Sequence, residues 1–143
     1  MSIDIAEDRA LSSISVGDTA SIEKVITEED LVAFSNLSGD FNPLHTDAAY
    51  AQSTPFKQRV VFGFLLGAYV SQLVGMHLPG KRALILKESL DFKKPVHIGD
   101  PIVITGIVIS KSESTGIIEI KILITVLGLA TTEGSVFTRV RPE

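Results

Sequence analysis

The chain reads as an α+β fold in which an antiparallel sheet wraps one long central helix. Three observations lead there. Residues 60–78 carry no Asp, Glu, Lys or Arg, which suits a helix buried on every side. After Pro79-Gly80 the hydrophobic period changes from helical to two, and it keeps that value almost to the end of the chain. Ahead of the apolar helix stand a single strand-like segment and shorter helical ones, so helices and strands are segregated rather than alternating. A chain of 143 residues suits one domain with a substantial core.

Residues 1–13 show no sustained period and are expected to form a flexible arm, with a single domain over 14–143. Residues 18–25 read as a first strand. Thr27 is placed to cap a helix whose first turn, Glu28-Glu29-Asp30, puts negative charge at the positive end of the dipole. Leu31, Phe34 and Leu37 give that helix an apolar face, and Gly39 ends it. Thr46-Asp47 reads as the cap of a second short helix running through Tyr50, which puts His45 just before a helix start. Residues 51–59 read as a connection into the apolar helix. Alternation over 84–92 marks the next strand, and 102–109, 117–126 and 134–140 mark three more. Residues 97–101 form a turn carrying Gly99-Asp100, and 111–116 form a polar hairpin connection.

Composition removes several function classes. Hydrophobic residues make up 45% of the chain and charged ones 21%, so disorder is not expected outside the termini. The absence of cysteine excludes a disulfide framework, a thiolate nucleophile and a cysteine-ligated zinc. His45, His77 and His97 have no metal-ligand spacing, so no metal is expected. A net charge of −4 argues against general nucleic-acid binding. No basic stretch followed by an apolar core opens the chain, and a cytoplasmic location is expected. The apolar run at 60–78 has the length of a membrane span, but its interior Gly63, Gly67, Ser71, Gln72 and Gly75 favour a buried helix and no span.

The chemistry concentrates in Ser38-Gly39-Asp40-Phe41-Asn42-Pro43-Leu44-His45. A carboxylate and an imidazole stand five residues apart on backbone that is not helical throughout. Gly39 allows positive φ, and Pro43 pushes Asn42 out of the α region. An irregular loop can turn Asp40 and His45 toward one point, which is the usual equipment for moving protons. Asn42 is a candidate to orient that pair or to make an Asx turn. In the apolar helix Gly63, Gly67, Ser71 and Gly75 recur every four residues and form a stripe of small side chains. Such a stripe serves either tight packing on a sheet or the close approach of a ligand. His77 reads as a dipole partner at the helix end and His97 as an exposed turn residue. Lys81-Arg82 and Lys93-Lys94 read as solvated charges.

This octapeptide resembles the signature of the MaoC-like dehydratases, the family of the (R)-specific enoyl-CoA hydratases. Val60-Val61-Phe62-Gly63-Phe64-Leu65-Leu66, Leu78-Pro79-Gly80 and Phe92-Lys93-Lys94-Pro95-Val96-His97-Ile98-Gly99-Asp100 follow in the family's order. The resemblance runs from about Val16 to the C-terminus and implies the hot dog fold. It also implies a hydro-lyase of fatty acid metabolism that converts trans-2-enoyl-CoA to (R)-3-hydroxyacyl-CoA, reversibly. Asp40 and His45 are then the catalytic pair, Gly63 supplies a backbone amide to the thioester oxygen, and Ser71 supports the pair and borders the acyl pocket. Coenzyme A enters as part of the substrate, and no cofactor is implied. Many members have His-Gly where this chain has Phe62-Gly63. That difference is expected to bear on the pocket rather than on the pair.

Two alternatives stand beside the hydratase: a dehydratase acting on 3-hydroxyacyl groups of an acyl carrier protein, and a non-catalytic module that binds acyl thioesters. A short sheet around one apolar helix leaves edges and apolar surface to cover, so a homodimer joined edge to edge is expected.

Overall fold

The computed structural model describes residues 4–142. Strand β1 (Thr19–Val25) leads into helix α1 (Glu28–Ser38), followed by two short helices, α2 (Pro43–Thr46) and α3 (Ala48–Gln52), and the central helix α4 (Gly63–Met76). Strands β2 (Ala83–Phe92), β3 (Pro101–Lys111), β4 (Ile117–Val126) and β5 (Leu129–Val140) complete one sheet in the order β1-β3-β4-β5-β2. Every pairing is antiparallel. This is the hot dog architecture, with β1 and β2 left as the two edges.

Alternation explains the core. Along β4, Ile118, Ile120, Ile122 and Ile124 are fully buried while Lys121 between them faces outward. They share one hydrophobic cluster with Val70, Leu73 and Val74 of α4. Each such side chain contributes about 1.5–3 kcal/mol when buried, so this seam is what fixes α4 against the sheet. At 14 residues α4 is shorter than the apolar run that encodes it. Among the described residues no helix is long and apolar enough to cross a membrane.

The caps are those the sequence encodes. Thr27 and Asp30 form a reciprocal capping box at the start of α1, and Gly39 ends that helix at φ 76°. Leu31 and Phe34 pack inward as expected, but Leu37 is 86% exposed and Ser35 is buried in its stead. Residues 7–9 of the expected arm are bonded to the body. Glu7 N–H donates to the Met76 carbonyl and Asp8 pairs with Lys81 and Arg82. Arg9 pairs with Asp18.

Three other boundaries move. His45 lies inside α2 rather than ahead of a helix, because Asn42 caps that turn with Pro43 at its first position. Asp47 caps α3 by accepting from Tyr50 N–H, as expected of the Thr46-Asp47 pair, but the helix runs on to Gln52 rather than ending at Tyr50. The last strand begins at Leu129, not at 134, since Leu127 and Gly128 both take positive φ and close a two-residue hairpin. His97 is half-buried, with Nδ1 bonded to the Arg59 carbonyl at 2.8 Å. Of the cations expected to be solvated, Lys93 pairs with Glu133, as Lys81 and Arg82 do with Asp8.

The pairing of β2 with β5 depends on one glycine. A Cβ at Gly134 would lie 1.8 Å from the Ser89 carbonyl oxygen, a backbone atom that cannot give way without moving β2. Gly134→Ala is therefore expected to destabilise the fold by about 1–3 kcal/mol or more. Urea denaturation measures this, and a wild-type midpoint would contradict the packing described.

Candidate active site

The loop between α1 and α2 is held by its own side chains. Ser38 Oγ accepts from Asp40 N–H at 3.1 Å, Asp40 Oδ1 from Asn42 N–H at 3.0 Å, and Asn42 Oδ1 from Leu44 N–H at 3.0 Å. Three consecutive bonds of this two-residue span make a staircase of turns, each step using a residue type suited to it. Ser38 in turn donates to the Phe34 carbonyl at 2.7 Å, anchoring the staircase in α1. Asp40 is thus oriented by the backbone N–H of Asn42, while the Asn42 side chain caps α2.

His45 is fixed from the other side. Its Nδ1 lies 2.5 Å from the carbonyl oxygen of Val60. A carbonyl only accepts, so Nδ1 carries the proton, and in the neutral ring Nε2 is left as a free acceptor. The backbone agrees, with Val60 N–H donating to the Leu44 carbonyl at 3.2 Å and Val61 N–H to Val96 at 2.7 Å. Residues 60–61 are thereby clamped between α2 and the turn before β3, and two residues later α4 begins.

A cavity of about 720 Å³ opens between this loop, α4 and β2. Five of the six candidate site residues line it: Asp40, His45, Phe62, Gly63 and Ser71. Asn42 does not; it acts on the loop. Ser71 makes no hydrogen bond to Asp40 or His45 among the described residues, so its expected support of the pair has no direct contact behind it. Gly63 is the first residue of α4, where an N–H has no helical acceptor and sits at the positive end of the dipole. No three His, Asp or Glu side chains among the described residues gather as a metal site requires.

The small-residue stripe divides. A Cβ at Gly63 would meet the Phe92 ring at 2.9 Å, and one at Gly67 would meet Glu88 Oε1 at 3.2 Å. At these two positions the glycines let β2 side chains reach the helix across the cavity. Gly75 faces open space. Glu88 carries no motif in the sequence, where it is the one charged residue in the alternating set Leu84, Leu86, Glu88, Leu90 and Phe92. It lines the cavity, and although the residue is exposed at the open side, burial of its carboxyl group holds its pKa above the usual range.

Phe62 is 2% exposed, with its ring centroid 4.2 Å from that of His45 and 4.7 Å from that of Phe34. The Phe62 difference therefore reaches the pair itself, as an apolar wall against the imidazole.

A family model described as "MaoC like domain" matches residues 15–127. An (R)-specific enoyl-CoA hydratase of Rhodospirillum rubrum is 38% identical over 121 residues, covering 85% of this chain and 84% of that one. The solved structure of an (R)-hydratase from Aeromonas caviae, described as involved in PHA biosynthesis, superposes with a TM-score of 0.86 at 36% identity. It covers 90% of this chain and 98% of the other. An unliganded R-hydratase of Pseudomonas aeruginosa gives a TM-score of 0.90 at 31% identity, over 96% of this chain and 89% of its own.

Truncating the wall should be costly. Phe62→Ala removes a fully buried ring touching two others and is expected to cost about 3–5 kcal/mol. Thermal and urea unfolding give the number; a loss well below 1 kcal/mol would mean the ring is not the core contact described.

Proposed function

This chain belongs to the MaoC-like domain family, and from that premise we propose that it hydrates trans-2-enoyl-CoA to (R)-3-hydroxyacyl-CoA and catalyses the reverse dehydration. The observation that carries the reading is the convergence of Asp40, His45 and the first residue of α4, Gly63, on one cavity. The (R)-specific hydratases it resembles over most of both chains support the choice of reaction.

The chemistry follows from what each group offers. A water held between Asp40 and His45 gives up a proton to the unprotonated Nε2, and its oxygen forms a bond to Cβ of the enoyl thioester. Charge develops on the thioester oxygen, where the Gly63 N–H donates to it. The imidazolium then returns a proton to Cα, which closes the cycle with H and OH added from one water-bearing face. Asp40 accepts a hydrogen bond from the O–H that the water keeps and stabilises the transient imidazolium. No step in this scheme calls for a metal or redox cofactor, and coenzyme A serves only as the acyl carrier.

The apolar length of the cavity, between α4 and the β2 residues Leu90 and Phe92, suits an acyl chain. Phe64, Leu84, Leu86 and Phe92 are exposed around the β2 edge. Apolar groups so grouped on a free strand favour a homodimer joined through that edge. The same reading takes residues 14–143 as one catalytic domain and the enzyme as cytoplasmic.

Asp40→Asn and His45→Gln keep shape while removing a proton acceptor. Each is expected to slow the loss of enoyl-thioester absorbance with crotonyl-CoA by about 10²–10⁴-fold, with much weaker effects on binding. The double variant should be little slower than either single one, because residues sharing one water act as a unit. Wild-type rates in either single variant would sink the assignment. Acyl-CoA binding without turnover by the unaltered protein would favour a binding module instead.

A further inference from the structure

A smaller cavity of about 150 Å³ lies between α1 and α2, and His45 is the one residue that lines both it and the large cavity. Its wall includes Ser35, Asn36, Thr46, Arg59 and Glu28. Ser35 is 3% exposed, and its hydroxyl finds no hydrogen-bond partner among the described residues. A serine inside a helix ordinarily satisfies itself on the carbonyl four residues back. This one does not, although a buried polar group without a partner is costly and rare in native proteins. The cavity has room for several waters, and its wall offers them polar partners. Thr46 Oγ1, which donates to the Phe41 and Asn42 carbonyls, keeps lone pairs to accept.

Hydration consumes one water per turnover. An acyl thioester seated in the large cavity would crowd the approach to His45 from that side, and the small cavity offers water a second approach. We propose that the small cavity is a water site that feeds the reaction from behind His45, with the Ser35 hydroxyl as one of its anchors. The proposal rests on the hydratase reading. It predicts that the oxygen removed from a hydroxyacyl thioester leaves through this cavity while the enoyl thioester is still bound.

The test is oxygen exchange. (R)-3-hydroxybutyryl-CoA is incubated with the enzyme in ¹⁸O-water, and released crotonyl-CoA is trapped by an enoyl-thioester reductase. The unaltered enzyme should return ¹⁸O-labelled hydroxyacyl-CoA faster than it releases the enoyl product. Ser35→Val removes the anchor and fills space, and Val32→Phe narrows the same cavity from an exposed position. Both variants should lower the ratio of exchange to release by about threefold or more, a partition that general destabilisation does not move. If Ser35→Val does not fold, Val32→Phe decides. A wild-type ratio below one, or a ratio unchanged in the folded variants, overturns the water route and leaves the hydratase reading standing. An enzyme inactive on both thioesters overturns the two together.

Discussion

The hydrogen bond from His45 Nδ1 to the Val60 carbonyl is the constraint on which the rest of the site depends. It selects the tautomer, leaving Nε2 as an acceptor, and it couples the α1–α2 loop to the segment that enters α4. Without it the imidazole could turn, and the distance from the ring to the Gly63 amide would no longer be set by backbone. The coupling is shared with the Leu44–Val60 and Val61–Val96 backbone bonds, so three points rather than one hold residues 60–61. The staircase at Ser38, Asp40 and Asn42 does the corresponding work for the carboxylate. Two acceptors are thus positioned by short-range bonds on a loop, while the rigid frame behind them is the isoleucine seam of β4 against α4.

The cavity lies between α4 and β2, an edge strand, while the centre of the sheet joins α4 in one buried cluster. Glycines at 63 and 67 let Phe92 and Glu88 approach the helix, so the wall of the cavity comes from β2, the strand with most of its length exposed. With Asp40 and His45 at one end and an edge strand at the other, the cavity lies beside the surface that the proposed second copy would cover. A carboxyl group at Glu88, with burial favouring its neutral form, adds a polar element to an otherwise apolar wall.

Much of this was legible in the sequence, and the parts that were not share a cause. Thr27, Gly39 and the alternation along β4 are local signals, and each led to the element observed. The Asp40–His45 motif and Gly63 were likewise visible as residue types in order, and the fold brings them to one cavity. What escaped were properties decided by partners distant in sequence. Leu37 fits an apolar face by spacing, yet nothing packs over it. Gly134 reads as the first residue of the last strand, whereas it lies inside β5 where the Ser89 backbone of β2 comes too close for a side chain. Glu88 alternates like its neighbours, and only the position of α4 turns it into a cavity residue. Ser35 carries no motif at all; its burial and missing partner appear only when the helix is seated against the loop.

The central claim is that Asp40 and His45 share one water and act on a single face of the enoyl thioester beside the Gly63 amide. The stereochemistry of addition tests it most directly. Crotonyl-CoA is hydrated in deuterium oxide, and the product's configuration at Cα and Cβ is read by NMR. The account predicts the (R)-3-hydroxy product with deuterium at Cα delivered to the same face as oxygen at Cβ. Anti addition, or an (S)-3-hydroxy product, would contradict it.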